Sequence, residues 1–290
     1  MMLLWNAWVL WLCGGPLAGA LAVGVAIWLC GRLRWMAPNY AGELLAAAVG
    51  LAFPLAATLG LLARPVFAEL GFAEHYCWLV FTAAVYFGAL GLADDLAGAT
   101  EVKGLAGHFG ALARGRLTTG AMKALLGVPG AMAIAWAAGA WPVWRLLTVA
   151  ALIALGANVV NVLDKRPARA LKGALAGFAV VFVAGYLGAG GPGAFWAAWP
   201  LVAAAVVLFP YDARRGVMMG DVGANSLGAV MGLSLALTVP AWGQVVLAVA
   251  LLALNLYADR RSLSDLIEGR PMLRWLDGLG VAEREGECAS

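Results

Sequence analysis

Apolar runs of membrane-spanning length take up most of this chain. They lie near residues 5–30, 41–62, 76–93, 120–140, 145–162, 172–189, 194–209, 222–240 and 242–257. A helix needs about 20 apolar residues to cross the hydrocarbon core of a bilayer, so these runs have roughly the required length. Only 12% of the residues are charged, against roughly a quarter in soluble domains. The sequence therefore predicts an all-α, polytopic membrane helix bundle with about nine transmembrane helices.

The basic residues are distributed unevenly between the two ends of these runs. If the amino terminus lies outside, 17 of the 19 Lys and Arg residues fall in inner segments, and only Arg64 and Arg145 fall outside. Cytoplasmic loops of membrane proteins retain Lys and Arg. We therefore expect a multi-pass protein of the cell inner (plasma) membrane, with its amino terminus outside and its carboxyl terminus in the cytoplasm.

The chain after the last apolar run has a different pattern. We assign residues 1–257 to a transmembrane domain and residues 258–290 to a cytoplasmic amphipathic tail. Gly269 and Pro271 would divide the tail into two short helices, with basic residues suited to anionic headgroups. A surface for a soluble partner is the alternative. The apolar faces would be formed by Leu263, Leu266, Ile267, Leu273, Leu276 and Leu279.

Acidic residues occur at three of the predicted cytoplasmic helix ends. Asp94 and Asp95 lie in GLADDLAG, Asp164 lies in NVVNVLDKRPARALK, and Asp221 lies in MMGDVGANSLG. Carboxylates at a membrane boundary are costly unless they are hydrated, paired or bound to a cation. Each acid taken singly could instead mark a helix end, and Asp221 could be a helix cap. Their occurrence on one face together favours a functional site.

The spacing of the polar residues predicts the chemistry of this site. Asn158, Asn161 and Asp164 recur every three residues and would form a polar stripe on a helix, whereas Asp94 and Asp95 would point about 100° apart. Oxygen ligands without a neighbouring His or Cys cluster favour Mg²⁺. Nearby cations suit phosphate groups, although they could serve topology alone; they are Lys103, Lys165, Arg166, Arg169 and Lys172.

Taken in order on one membrane face, GLADDL, NVVNVLD and MMGDVGANSLG resemble the three cytoplasmic signatures of a known enzyme family. The family comprises the polyprenyl-phosphate N-acetylhexosamine-1-phosphate transferases, or glycosyltransferase family 4, which includes the phospho-N-acetylmuramoyl-pentapeptide transferase. The resemblance extends from about Arg32 to the ninth run. It implies transfer of a sugar 1-phosphate from a UDP-sugar to polyprenyl phosphate, with release of UMP and a requirement for Mg²⁺ or Mn²⁺.

The resemblance also implies roles for individual residues. Asp221 would be the leading metal ligand with Asp95 beside it, and one of Asp94 and Asp95 would position or deprotonate the lipid phosphate. Asn161 and Asp164 would support the metal and the diphosphate. We assign catalysis to Asp94, Asp95 and Asp164, the metal to Asp221 and Asp95, and substrate binding to Lys103, Asn158, Asn161, Lys165 and Arg169. Membrane lipids are further expected partners, nucleic acid is not, and a homodimer is left open.

Two features depart from the family pattern. After Asp164 the chain continues KRPARALK where a Gly-Asp-Gly-Leu type segment is usual, and the His-rich loop is missing, since His75 and His108 are the only histidines. Metal and phosphate handling is therefore predicted, whereas the sugar nucleotide is not identified. A CDP-alcohol phosphotransferase is disfavoured because its Asp-Gly-x-x-Ala-Arg signature is absent. The alternative from another class is an altered member that acts as a scaffold or transporter in envelope assembly.

Overall fold

The computed structural model describes residues 2–39, 41–97, 114–115, 118–188 and 190–282. Lys103 and His108 lie outside these residues. A short antiparallel hairpin pairs β1, Met36–Pro38, with β2, Leu44–Ala46, and a 3-10 turn covers Val49–Leu51. The α-helices are α1 Met2–Leu33, α2 Ala52–Leu62, α3 Arg64–Glu69, α4 His75–Ala97, α5 Thr119–Ala137, α6 Val143–Leu163, α7 Arg169–Leu187, α8 Gly193–Ala213, α9 Gly220–Thr238, α10 Ala241–Arg260, α11 Leu263–Glu268 and α12 Pro271–Gly278.

The predicted all-α, polytopic membrane bundle is confirmed. Among the described residues, seven helices are long and apolar enough to cross a membrane, namely α1, α4, α5, α6, α7, α8 and α10. Two of the nine apolar runs take another form. The run near 41–62 is divided between the hairpin and the shorter apolar segment Val49–Leu62. The run near 222–240 becomes α9, whose residues are buried on almost every side.

Helix α9 is the centre of the bundle, and its largest interfaces are with α6 and α4. These interfaces are close because they are built from small residues, which allow helix backbones to approach one another in a membrane protein. A methyl group added at Gly232 would lie 2.7 Å from the carbonyl carbon of Leu152 in α6, and one added at Gly228 would meet the backbone of Gly156. The position of α6 is therefore fixed by backbone contact.

Gly232→Ala is expected to lower the thermal stability of the purified protein in detergent. The added methyl must push α6 away from α9, and overpacking of this kind costs about 1–3 kcal/mol. The matched control is Gly24→Ala in α1, where an added methyl would meet nothing within 4 Å. That control should leave the melting temperature unchanged or slightly raised, since Ala is the better helix former. Equal melting temperatures for the two variants would contradict the proposed tight α6–α9 contact.

One end of the bundle, called the acidic end here, gathers the predicted motifs. At this end α4, α6 and α8 finish and α5, α7 and α9 begin, so Asp94, Asp164 and Asp221 are brought to the same level. The tail folds back over this end: Ala282 N–H donates to the carbonyl of Ala213, at the end of α8, at 3.1 Å. The acidic end therefore holds both the candidate site and the tail.

Candidate functional site

Asp95 holds the beginning of α9. Its two carboxylate oxygens accept hydrogen bonds from the backbone N–H groups of Asp221 and Val222, each at 2.9 Å. The residue before the helix, Met219, supplies no capping side chain, so an acid from another helix satisfies N–H groups that would otherwise lack a partner. The metal-binding role of Asp95 stays a prediction. Both of its carboxylate oxygens already accept backbone hydrogen bonds.

Gly220 makes this contact possible. Its backbone is left-handed, with φ at 74°, a conformation that costs glycine little. An added methyl would also lie 2.9 Å from Asp95 Oδ2 and 3.1 Å from the Cα of Ala48. The glycine in MMGDVG is thus explained by the approach of Asp95 and of the chain before α2. The sequence motif and the cap are parts of one local structure.

Helices α4 and α9 also touch directly beside the carboxylates. A methyl group added at Gly91 in α4 would collide with the carbonyl group of Asp221 and lie 2.6 Å from the nitrogen of Val222. Because Gly91 is one helical turn before Asp95, the cap and this backbone contact act on the same stretch of α9. The aspartate pair therefore has a fixed position relative to Asp221.

Lys123 joins two of the carboxylates. Its ammonium, on α5, forms ion pairs with Asp94 and Asp221, and the three side chains are only 20%, 25% and 28% exposed respectively. In the sequence Lys123 counted only as an inner cation. Asn161 donates to Asp221 Oδ2 at 3.0 Å and to Asn225 Oδ1 at 3.3 Å. The structure thus brings Asp94, Asn161 and Asp221 together and adds Lys123 and Asn225, which sequence reasoning missed.

Asp164 lies within a wider group of acidic side chains. Burial raises the pKa of the Asp164 carboxyl well above its usual range, and the charges of Asp212, Asp221 and Asp95 raise that pKa further. Asp212 is a third residue that the sequence analysis missed. It is 6% exposed and accepts a hydrogen bond from Ala168 N–H at 2.7 Å, before α7. The sequence signal was available, since Asp212 follows an apolar run in FPYDARR.

The predicted polar stripe of α6 divides between two neighbours. Asn158 donates to the side chain of Asn255 in α10, and Asn255 in turn donates to the carbonyl of Leu251 at 2.8 Å. Asn161, one turn later, faces Asp221 instead. A three-residue step on a helix leaves an offset of about 60°, so Asn158 and Asn161 point in different directions and reach different helices. The substrate-binding role of Asn158 stays a prediction and lies off the Asp221 cluster.

The tail engages several cations of the KRPARALK segment. Arg169 is 6% exposed and forms a bidentate ion pair with Asp277, at 2.8 and 2.7 Å, and a hydrogen bond to Ser264 at 2.9 Å. Arg166 pairs with Glu268 at 3.2 Å, while Lys165 is exposed. The phosphate-binding roles of Lys165 and Arg169 stay predictions. For Arg169 such a role would require displacement of Asp277.

Two carboxylates of this site converge on one position where a divalent cation could bind. The carboxylates of Asp94 and Asp221 converge on a single positive charge, the Lys123 ammonium, and Mg²⁺ commonly takes one or two carboxylates together with phosphates and water. Among the described residues, no group of three or more His, Cys, Asp or Glu side chains could hold a metal. A cation bound here would therefore need phosphate or water oxygens to complete its coordination.

With a divalent cation bound, the arrangement would suit contact with phosphate groups at the acidic end of the bundle. It combines two converging carboxylates, a lysine ammonium and an amide donor at the end of a bundle of apolar helices. Such a set can position phosphate groups and balance charge that develops on them.

No protein family model matches this chain, and no curated protein matches it either.

Proposed function

We propose that this protein is a membrane-bound glycosyl-1-phosphate transferase. The reaction transfers a sugar 1-phosphate from a UDP-activated amino sugar to polyprenyl phosphate and releases UMP. The observation that carries the proposal is the convergence of Asp94, Asp221, Asn161 and Lys123 at one end of the bundle. These residues come from three separate sequence motifs and one further helix. Their convergence supports a shared role in phosphoryl transfer, which depends mainly on positioning and charge stabilisation.

The bond changes define what the site must do. An oxygen of the lipid phosphate forms a bond to the phosphorus that carries the sugar, and the bond from that phosphorus to the bridging oxygen of UDP breaks. UMP leaves with the electron pair of the broken bond. The product is a polyprenyl diphosphate sugar, and no oxidant or reductant is required. All the phosphate oxygens involved are negatively charged, so the site must supply positive charge.

The side chains have separate roles in this proposal. Asp221 and Asp94 would hold a divalent cation, and Lys123 would turn from the two carboxylates to a phosphate oxygen when substrate binds. When bound, Mg²⁺ or Mn²⁺ spreads the charge that develops on the diphosphate. Asn161 orients Asp221, as its hydrogen bond at 3.0 Å supports. Asp95 positions the first turn of α9 through its two backbone hydrogen bonds.

The proposed orientation places the acidic end at the cytoplasm. The carboxyl ends of α4, α6 and α8 and the amino ends of α5, α7 and α9 would then lie on the inner side of the plasma membrane, as the positive-inside rule predicts. Both substrates suit this location, because the nucleotide sugar is soluble and cytoplasmic and the lipid phosphate can enter from the inner leaflet. The two remaining cations, Arg64 and Arg145, would lie outside.

The test is an assay of the purified, full-length protein. Undecaprenyl phosphate, Mg²⁺ and a panel of UDP-sugars are supplied in detergent, and UMP release is followed together with formation of the lipid-linked sugar. Both products are expected with at least one amino sugar donor, and both should depend on the lipid acceptor and disappear with EDTA. A folded protein that forms neither product with any donor would overturn the proposal and favour a scaffold or transporter.

A further inference from the structure

Helix α12 exposes an apolar arc. Met272, Trp275 and Leu276 lie within about 100° of one another on a helical wheel, and Leu279 follows directly after the helix. These four side chains, which form the arc, are 73%, 64%, 40% and 43% exposed respectively. Arg274 and Asp277 occupy the opposite side. This polar side meets the bundle where Asp277 contacts Arg169. The described parts of the protein therefore leave the apolar arc largely uncovered.

The level of α12 relative to the membrane is set by α7. Lys172 lies in the first turns of this membrane-spanning helix. Its ammonium donates to the carbonyl oxygens of Leu276 and Leu279, at 3.1 and 3.0 Å, and to that of Asp277. A cation at these carbonyls also complements the negative end of the α12 dipole. The carboxyl end of α12 is consequently held at the depth where α7 enters the bilayer.

The charges around α12 suit an anionic lipid surface. Arg270 and Arg274 are exposed on α12, and Arg260 and Arg261 are exposed where α10 ends. Two acids of the tail pair with cations of the bundle, since Asp277 pairs with Arg169 and Glu268 pairs with Arg166. An amphipathic helix with this pattern binds in the plane of the interface through apolar burial and attraction to headgroups.

We infer that α12 is an interfacial helix whose apolar arc lies among the acyl chains of the leaflet at the acidic end, with Arg270 and Arg274 at anionic headgroups. The occupant of the arc is the bilayer itself. Continuity supports this choice, because the end of α12 is hydrogen-bonded to the first turn of α7, which is long and apolar enough to cross a membrane. The ion pair to Arg169 and the contacts of Lys172 then anchor the surface helix to the bundle. This placement is independent of the proposed transfer reaction.

Two variants of the full-length protein, each with one added cysteine, test this placement. Met272→Cys lies on the apolar arc, and Arg274→Cys lies on the opposite side of the same helix. Both are made with Cys13 and Cys288 replaced by Ser, and the parent without the new cysteine corrects for labelling of the buried Cys30 and Cys77. Each is labelled with an environment-sensitive fluorophore and reconstituted into phosphatidylcholine vesicles with or without phosphatidylglycerol. Quenching is measured with lipids that carry a shallow nitroxide and with aqueous iodide.

The probe at residue 272 should be quenched by the lipid nitroxide and protected from iodide, several-fold more than the probe at residue 274 is. Phosphatidylglycerol should increase the lipid quenching at residue 272. Strong iodide quenching at both positions would overturn the inference, since the arc would then face water. Protection at residue 272 without lipid quenching, together with crosslinking between two copies, would also overturn it, because a second chain would be the occupant. Neither position is buried, so labelling should not prevent folding.

Discussion

Asp221→Asn is expected to lower UMP release by ~10²-fold or more, as loss of a key electrostatic group at an active site commonly does. The substitution keeps the shape of the side chain and removes one negative charge. Asp221 Oδ2 accepts a hydrogen bond from Asn161 at 3.0 Å and pairs with Lys123. The asparagine oxygen can still accept from these donors, so folding should be little affected, while the affinity for Mg²⁺ should fall.

The measurement is the Mg²⁺ dependence of UMP release at matched amounts of folded protein. The control is Glu69→Gln, which removes one negative charge from an exposed position in α3, away from the site. That control should keep the wild-type rate and Mg²⁺ requirement. Normal turnover of Asp221→Asn with an unshifted Mg²⁺ requirement would show that Asp221 is not a ligand, and a structural role at the start of α9 would then account for it.

Lys123→Met should destabilise the protein in the absence of divalent cations. The variant leaves Asp94 and Asp221 facing one another without the ammonium that both contact. Breaking a buried ion pair lowers the free energy of unfolding by about 3–5 kcal/mol. Because these side chains are 20–28% exposed, we expect a loss near the lower end of that range. UMP release should fall by ~10²-fold or more, because the proposed phosphate contact is lost.

Mg²⁺ gives this variant a second readout that does not depend on activity. A divalent cation bound between the two carboxylates replaces the missing charge, so Mg²⁺ should raise the melting temperature of Lys123→Met more than that of the wild type. The double variant Lys123→Met with Asp94→Asn should lose this response. Arg145→Met, which removes an exposed cation elsewhere, is the matched control. A melting temperature of Lys123→Met that is indifferent to Mg²⁺ would argue against a divalent site.

The membrane spans were predictable because they depend on local composition. Each apolar run of about 20 residues has one stable conformation in a bilayer, a helix whose backbone N–H and C=O groups form hydrogen bonds within the helix. Residues 41–62 were harder to predict, since a hairpin and a short helix have similar average hydropathy to a span. The position of α9 at the centre also could not be read locally. It depends on the close backbone contacts of Gly156, Gly228 and Gly232 with facing helices.

The candidate site was predicted in outline, and its missing parts come from tertiary contacts. The carboxylates at α4 and α9 could be placed on one face because each ends or begins a predicted span. Lys123 belongs to a helix without a comparable motif, so its pairing with Asp94 and Asp221 required the packing of α5. Asn158 separates from Asn161 because α10 supplies another polar partner. No sequence pattern indicated that Asp277 would pair with Arg169.

The backbone contact at Gly91 has a consequence for motion. Because α4 and α9 touch there without an intervening side chain, neither helix can slide or rotate past the other without a collision. The aspartate pair and Asp221 must therefore travel as one rigid body during any opening of the protein. Lys123 reaches them from α5, a different helix, on a long flexible side chain. Under the proposed reaction, the Lys123 ammonium can accordingly change partners while the spacing of the three carboxylates stays the same.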